Sequence, residues 1–175
     1  MRLFVALLPP REAHVAIENA ALPLQDALGV KALPPDNWHI TLFFIGEADE
    51  TRIGAIGDAL SAIEFSPFTV SLFGAGAYPS IEFPRAIFIG GKSEGAEELA
   101  GKIGKALAAI GVRGDGKKFS MHLTVARSKT AGDIEEFVRK TGDVCKWEAS
   151  SFFLMKSTLL PHGAKYDIIK EFPAK

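Results

Sequence analysis

The chain has one cysteine, Cys145, among its 175 residues, so neither an internal disulfide framework nor a cysteine-based zinc cluster is open to it. A single unpaired thiol fits a reducing compartment. The sequence also lacks any apolar run near the ~18 residues that a membrane-spanning helix needs. The N-terminal Met1-Arg2-Leu3-Phe4-Val5-Ala6-Leu7-Leu8 has the look of a secretion signal. Pro9-Pro10-Arg11-Glu12 cuts it short and no small-residue cleavage site follows, so it reads as a strand. These absences lead us to expect a soluble, cytoplasmic protein with no membrane partner. Excess charge is missing too. Twenty Lys and Arg stand against 21 Asp and Glu, a net of −1, which argues against a general polyanion binder. What remains is ordinary globular composition, 47% apolar and 23% charged, enough for one compact domain with a real core.

The charge is uneven along the chain. The first 84 residues carry 4 Lys or Arg and 10 Asp or Glu; the other 91 carry 16 and 11. A basic second half hints at a surface that meets phosphates.

An internal repeat organises the rest. His39-Ile40-Thr41-Leu42 and His122-Leu123-Thr124-Val125 match at an offset of 83. The same ungapped offset lays Arg2–Ala6 on Arg85–Ile89 and Phe68–Leu72 on Ser151–Met155. We therefore expect a single domain, 1–175, built from an internal duplication of about 1–84 and 85–175. In the first copy the pattern predicts a strand over 2–8 and a helix from Pro9-Pro10 to about 28, which Pro23 kinks or ends early. A strand follows over 39–45, then an amphipathic helix marked by Ile53, Ile56, Leu60 and Ile63, and a strand over 68–73 broken by Gly74-Ala75-Gly76. The second copy repeats the order. It has a strand over 85–90, a helix with Leu99, Ile103, Leu107 and Ile110 on one face, a strand over 119–127 and a short helix from Asp133 ended near Gly142. Strands over 152–158 and 166–169 close it, paired as a hairpin across Leu160-Pro161-His162-Gly163. The expected class is α+β, a single bilobal domain of two pseudo-two-fold-related halves. Each half would be an antiparallel-rich sheet with outer helices, and the active cleft would lie between the halves.

Side chains alternate along a strand, so His39 and Thr41 share a face while Ile40 and Leu42 enter the core. His122 and Thr124 do the same, backed by Leu123 and Val125. Across a two-fold axis both pairs converge on one groove. Two imidazoles that titrate near ~6.5 form an acid–base pair without a nucleophile, suited to in-line displacement at phosphorus. Two hydroxyls beside them suit non-bridging phosphate oxygens. A lone strand histidine is more often structural, but two in identical contexts at the repeat offset reverse those odds. A metal site is the next alternative; with no Asp, Glu or Cys in either motif the donors make a poor first shell. His14 and His162 have no symmetric counterpart and read as bland.

Paired His-x-Thr motifs on duplicated halves resemble the two-histidine (2H) phosphoesterase superfamily. Within it the chain is similar to the RNA 2′,3′-cyclic phosphodiesterase / 2′-5′ RNA ligase family. The likeness rests on Arg2-Leu-Phe-Val-Ala-Leu, on the two motifs with Arg127 closing His-Leu-Thr-Val-Ala-Arg, and on Ser157-x-Leu159-x-Pro161-x-Gly163-Ala164-x-Tyr166 ahead of Phe172-Pro173. It implies a bilobal fold, no metal, and hydrolysis of ribose 2′,3′-cyclic phosphate ends of RNA to 2′-phosphomonoesters; we expect no cofactor, a monomer, and tRNA fragments among the substrates. It further implies His39 as proton donor, His122 as proton acceptor, Thr41 and Thr124 as phosphate ligands, and ligation as the reverse reaction.

Other positions carry two readings. Strict alternation sends Arg127 to the face away from the cleft, so either the strand bends there or its guanidinium, well suited to phosphate, acts from the rim. Phe43 shares the His39 face and could stack a base, as could Tyr166, or both are ordinary packing. Lys117, Lys118 and Lys129 flank the second motif as RNA contacts or as solvated lysines. Rival functions are a phosphodiesterase for a small cyclic nucleotide or ADP-ribose cyclic phosphate, and a non-catalytic RNA-end binding module.

Overall fold

A computed structural model describes residues 1–130, 132–161 and 163–175. The chain opens with strand β1 (Arg2–Leu7) and helix α1 (Arg11–Ala21). Pro23 falls in a 3₁₀ turn over Leu22–Leu24, so the helix stops well short of residue 28. Strand β2 (Val30–Ala32) and strand β3 (Ile40–Glu47) follow, then helix α2 (Ile53–Ser61), strand β4 (Phe68–Pro79) and strand β5 (Pro84–Lys92). Helix α3 (Glu94–Ala109), capped by the Ser93 side chain on the Ala96 amide, leads to strand β6 (His122–Ser128) and helix α4 (Glu135–Lys140). Strands β7 (Asp143–Ala149), β8 (Ser151–Leu160) and β9 (Gly163–Pro173) end the chain.

The strands pair antiparallel throughout, in the order β7-β4-β5-β6-β3-β1-β8-β9, with β2 on β6. The expectation of two sheets is thus corrected to one. Its halves meet at a narrow seam, where β3 and β6 share the single register pair Ile40↔Leu123. The order is symmetric about that seam: the offset of 83 carries β1 onto β5, β3 onto β6 and β4 onto β8. The lobes do not follow the sequence halves, however. β4 lies with β5, β6 and β7, whereas β8 lies with β1, β3 and β9.

Three further differences have local causes. The Gly74-Ala75-Gly76 stretch does not end β4. Its register slips between Leu72 and Ala75, with Gly74 at φ +66°, and pairing with β5 resumes to Pro79. β7 escapes the pattern because Asp143, Lys146 and Glu148 interrupt its apolar residues along a sheet edge. Residues 119–121 lie outside β6, which begins at His122. The last hairpin turns where expected, since Leu160 pairs with Gly163, although its tip, His162, lies outside the described residues.

β1 shows how the sheet is sandwiched. Leu3, Val5 and Leu7 enter the main core beneath the helices, with Ile40, Leu123, Ile56, Leu60, Ile103 and Leu107. Phe4 and Ala6, pointing the other way, form a second cluster with Met155, against which Tyr166 packs. Helices cover one face, and the second face carries the candidate site.

Candidate active site

The register at the seam sets the site. Ile40 and Leu123 face each other fully buried in the core, so their flanking residues point to the opposite face. Extending that antiparallel register by one residue puts His39 opposite Thr124 and Thr41 opposite His122. Diagonal neighbours in such a ladder lie about 7–8 Å apart, room for one tetrahedral phosphate between the two imidazoles. Two elements more than eighty residues apart in sequence thereby present two His-x-Thr pairs around one axis.

Each imidazole is held in the same way. His39 Nδ1 donates to the Asn37 carbonyl at 2.8 Å, and His122 Nδ1 donates to the Ser120 carbonyl at 2.7 Å. Fixing the proton on Nδ1 leaves Nε2 of each neutral ring with a free lone pair. The residue two places before each histidine is itself anchored. Asn37 Nδ2 donates to the Ala164 carbonyl at 2.9 Å, and the Ser120 and Tyr78 hydroxyls share a 2.9 Å hydrogen bond. Rings wall in both histidines: Phe4 and Tyr166 each lie 4.9 Å from His39, and Tyr78 and Phe88 lie 5.3 and 5.4 Å from His122.

This packing governs charge. Burial above all lowers the pKa of His39 from 6.5 to about 4; the Asn37 hydrogen bond opposes the shift, and the positive charges of His122 and Arg127 add to it. Burial also lowers His122, against the opposing Ser120 hydrogen bond. In the free protein both rings are therefore neutral at pH 7, and an anion bound between them would restore their affinity for a proton. Thr41 is 9% exposed, and neither the Thr41 nor the Thr124 hydroxyl has a hydrogen-bond partner among the described residues. Both are available to a ligand oxygen. Among those residues no group of three or more His, Cys, Asp or Glu could hold a metal ion.

A bulge settles which face Arg127 takes. β5 pairs Phe88 with Thr124 and Ile87 with Ala126, so Val125 is an extra residue in β6. Val125 and Ala126 are both buried, and Arg127 is returned to the histidine side, exposed and close enough for its charge to act on His39. β3 bulges at the equivalent place. Ala6 pairs with Thr41 and Val5 with Phe43, which makes Leu42 the extra residue. The reading of Phe43 on the His39 face is corrected accordingly. Phe43 packs on the main core with its ring against Gly104 and Gly114, and Phe44, 43% exposed and 6.4 Å from Phe4, takes the cleft face.

The remaining candidates are scattered. Tyr166 packs its ring edge-on to His39. Lys117 and Lys118 line a cavity that also reaches Thr41 and His122. Lys129 lies past the far end of β6 and outside that lining, its carbonyl accepting from the Arg85 guanidinium. His14 is bland as expected, with Nε2 3.3 Å from the Pro9 carbonyl and its ring against Trp38. Sequence reasoning missed Asn37, Ser120, Phe44 and Tyr78. For the first two a signal existed, because the offset of 83 carries Asn37 onto Ser120.

Known proteins resemble this chain in sequence and in fold. The sequence pattern of the family described as LigT like Phosphoesterase matches residues 7–88. A protein of Archaeoglobus fulgidus named RNA 2′,3′-cyclic phosphodiesterase is 37% identical over 98% of this chain and 99% of its own length. One of the same name from Thermus thermophilus is 32% identical over 98% of this chain and 89% of its own length. Among solved structures, a Thermus thermophilus protein superposes with a TM-score of 0.82 at 29% identity, covering 99% of this chain and 97% of that one. Escherichia coli LigT complexed with 3′-AMP gives 0.83 at 21% identity with the same coverage, a likeness of fold. With the similarity running the full length of the chain, the protein belongs to the LigT-like phosphoesterases of the two-histidine superfamily and is an enzyme.

Proposed function

We propose that this chain hydrolyses the 2′,3′-cyclic phosphate at RNA ends to a 2′-phosphomonoester, by acid–base catalysis between His39 and His122 without a metal ion. One imidazole takes a proton from water as its oxygen attacks phosphorus. The other gives a proton to O3′ as the P–O3′ bond breaks in line with the attack. Following the family resemblance, His39 is the donor and His122 the acceptor. Thr41, Thr124 and Arg127 meet the non-bridging oxygens, where charge accumulates. Run backwards with a 5′-hydroxyl in place of water, the same steps give a 2′-5′ linkage. Transfer RNA fragments as substrate and a monomer acting in the cytoplasm belong to the same reading.

The observation that carries the reading is the matched pinning of both imidazoles through Nδ1, which leaves two Nε2 atoms for the two proton transfers. The names of the relatives agree with it. Incubation with 2′,3′-cyclic AMP in excess EDTA tests it: 2′-AMP is the expected product at an undiminished rate. Activity lost to the chelator and recovered with zinc would contradict the metal-free mechanism. Binding without turnover would favour the RNA-end binding module. Removing the guanidinium in Arg127→Met is expected to lower kcat/KM about 10-fold or more, the scale of a lost charged hydrogen bond. An unchanged value would place Arg127 outside the phosphate site.

A further inference from the structure

A cavity of about 980 Å³ extends from one end of the histidine–threonine cluster only. Its lining includes His122 and Thr41 but not His39, Thr124 or Arg127. A volume at the upper end of ordinary ligand pockets leaves space beyond the reacting phosphate and its ribose. The outer wall is the loop between α3 and β6, and Gly114 lets that loop lie close. A Cβ there would fall 2.6 Å from the Phe43 ring and 3.0 Å from the Phe44 carbonyl.

The chemistry of the lining is that of a nucleotide site. Phe44 and Phe119 supply aromatic surface, and Phe44 is 43% exposed. Arg85, Arg113, Lys117 and Lys118 supply four cations against one carboxylate, Asp115. Asp115 is 3.6 Å from the Lys117 ammonium and accepts from its backbone amide. Among the described residues neither Lys118 nor Arg113 is in an ion pair. Aromatic faces beside such cations hold a base and a phosphate together, because stacking tolerates any base and the cation meets the backbone.

We propose that this cavity is a subsite for the nucleotide joined 5′ to the one bearing the cyclic phosphate, with its base on the aromatic wall and the linking phosphate met by Lys117 and Lys118. The proposal rests on the phosphodiesterase reading above and adds to it a preference for RNA ends over free cyclic nucleotides. The test compares kcat/KM for a dinucleotide ending in a 2′,3′-cyclic phosphate with that for the cyclic mononucleotide. The dinucleotide should be favoured by about 10-fold or more, a margin that shrinks as salt rises. In the double variant Lys117→Ala, Lys118→Ala the ratio should fall towards one, and Lys118→Glu should lower it as well; both positions are exposed, so the fold should survive. Turnover of both substrates with a ratio near one, or a ratio these variants leave intact, would overturn the subsite alone. Turnover of neither would overturn the phosphodiesterase reading, and the subsite with it.

Discussion

Replacing His122 or His39 with alanine is expected to lower kcat by about 10²–10⁴, because in the proposed mechanism each imidazole performs one proton transfer at the same phosphorus. In activation terms that is about 3–5 kcal/mol for either ring. The two losses should not add, since the rings act as one unit and either deletion stalls the same step. Steady-state kinetics on a cyclic mononucleotide gives the measurement. The wild-type pH–rate profile should be bell-shaped, and each single variant should lose a limb, with both limbs belonging to the coupled pair. KM should move less than kcat, because the proposed phosphate contacts of Thr41, Thr124 and Arg127 are left in place. A His39→Ala enzyme with full activity and two intact limbs would remove the division of labour.

The second large effect is on stability in acid. In the unfolded chain His39 takes up its proton near pH 6.5, whereas in the folded protein burial holds that uptake back to about pH 4. Between these values the unfolded state binds more protons, so stability falls as pH falls across that window. The contribution reaches about 3 kcal/mol at the acid end. His122 is shifted in the same direction and adds to it. Urea unfolding at pH 7 and pH 4.5 should show wild type losing markedly more stability than His39→Asn. Inorganic phosphate should narrow the gap, since an anion between the rings favours the charged forms. Equal acid losses in wild type and variant would mean that the His39 ring is not buried against Phe4 and Tyr166.

Much of this was legible in one sequence because the repeat doubled every weak signal. A single His-x-Thr is noise, but two at one offset, with β1 on β5 and β4 on β8, predict both the strands and their approximate symmetry. Strand alternation placed His39, Thr41, His122 and Thr124 correctly relative to Ile40 and Leu123. It failed one step later. A bulge adds one residue without changing composition, so Leu42 and Val125 look like any core position and the faces of Phe43 and Arg127 are inverted. The trace lay in paired apolar residues, Leu42-Phe43 and Val125-Ala126, where alternation allows one. Which lobe each strand joins was not legible at all. β4 turns back on β5 as a local hairpin, but laying β8 beside β1 is a long-range choice to which a repeat is indifferent. The cavity was equally hidden, because its wall depends on Gly114 lying against Phe43 from a distant loop.

The most direct test is a crystal structure of this protein with a 2′-phosphomononucleotide bound. The account predicts one phosphorus atom between β3 and β6, its oxygens within hydrogen-bonding distance of Nε2 of both His39 and His122 and of the Thr41 and Thr124 hydroxyls. A phosphate that touches only one imidazole, or settles away from the seam where Ile40 meets Leu123, would contradict it.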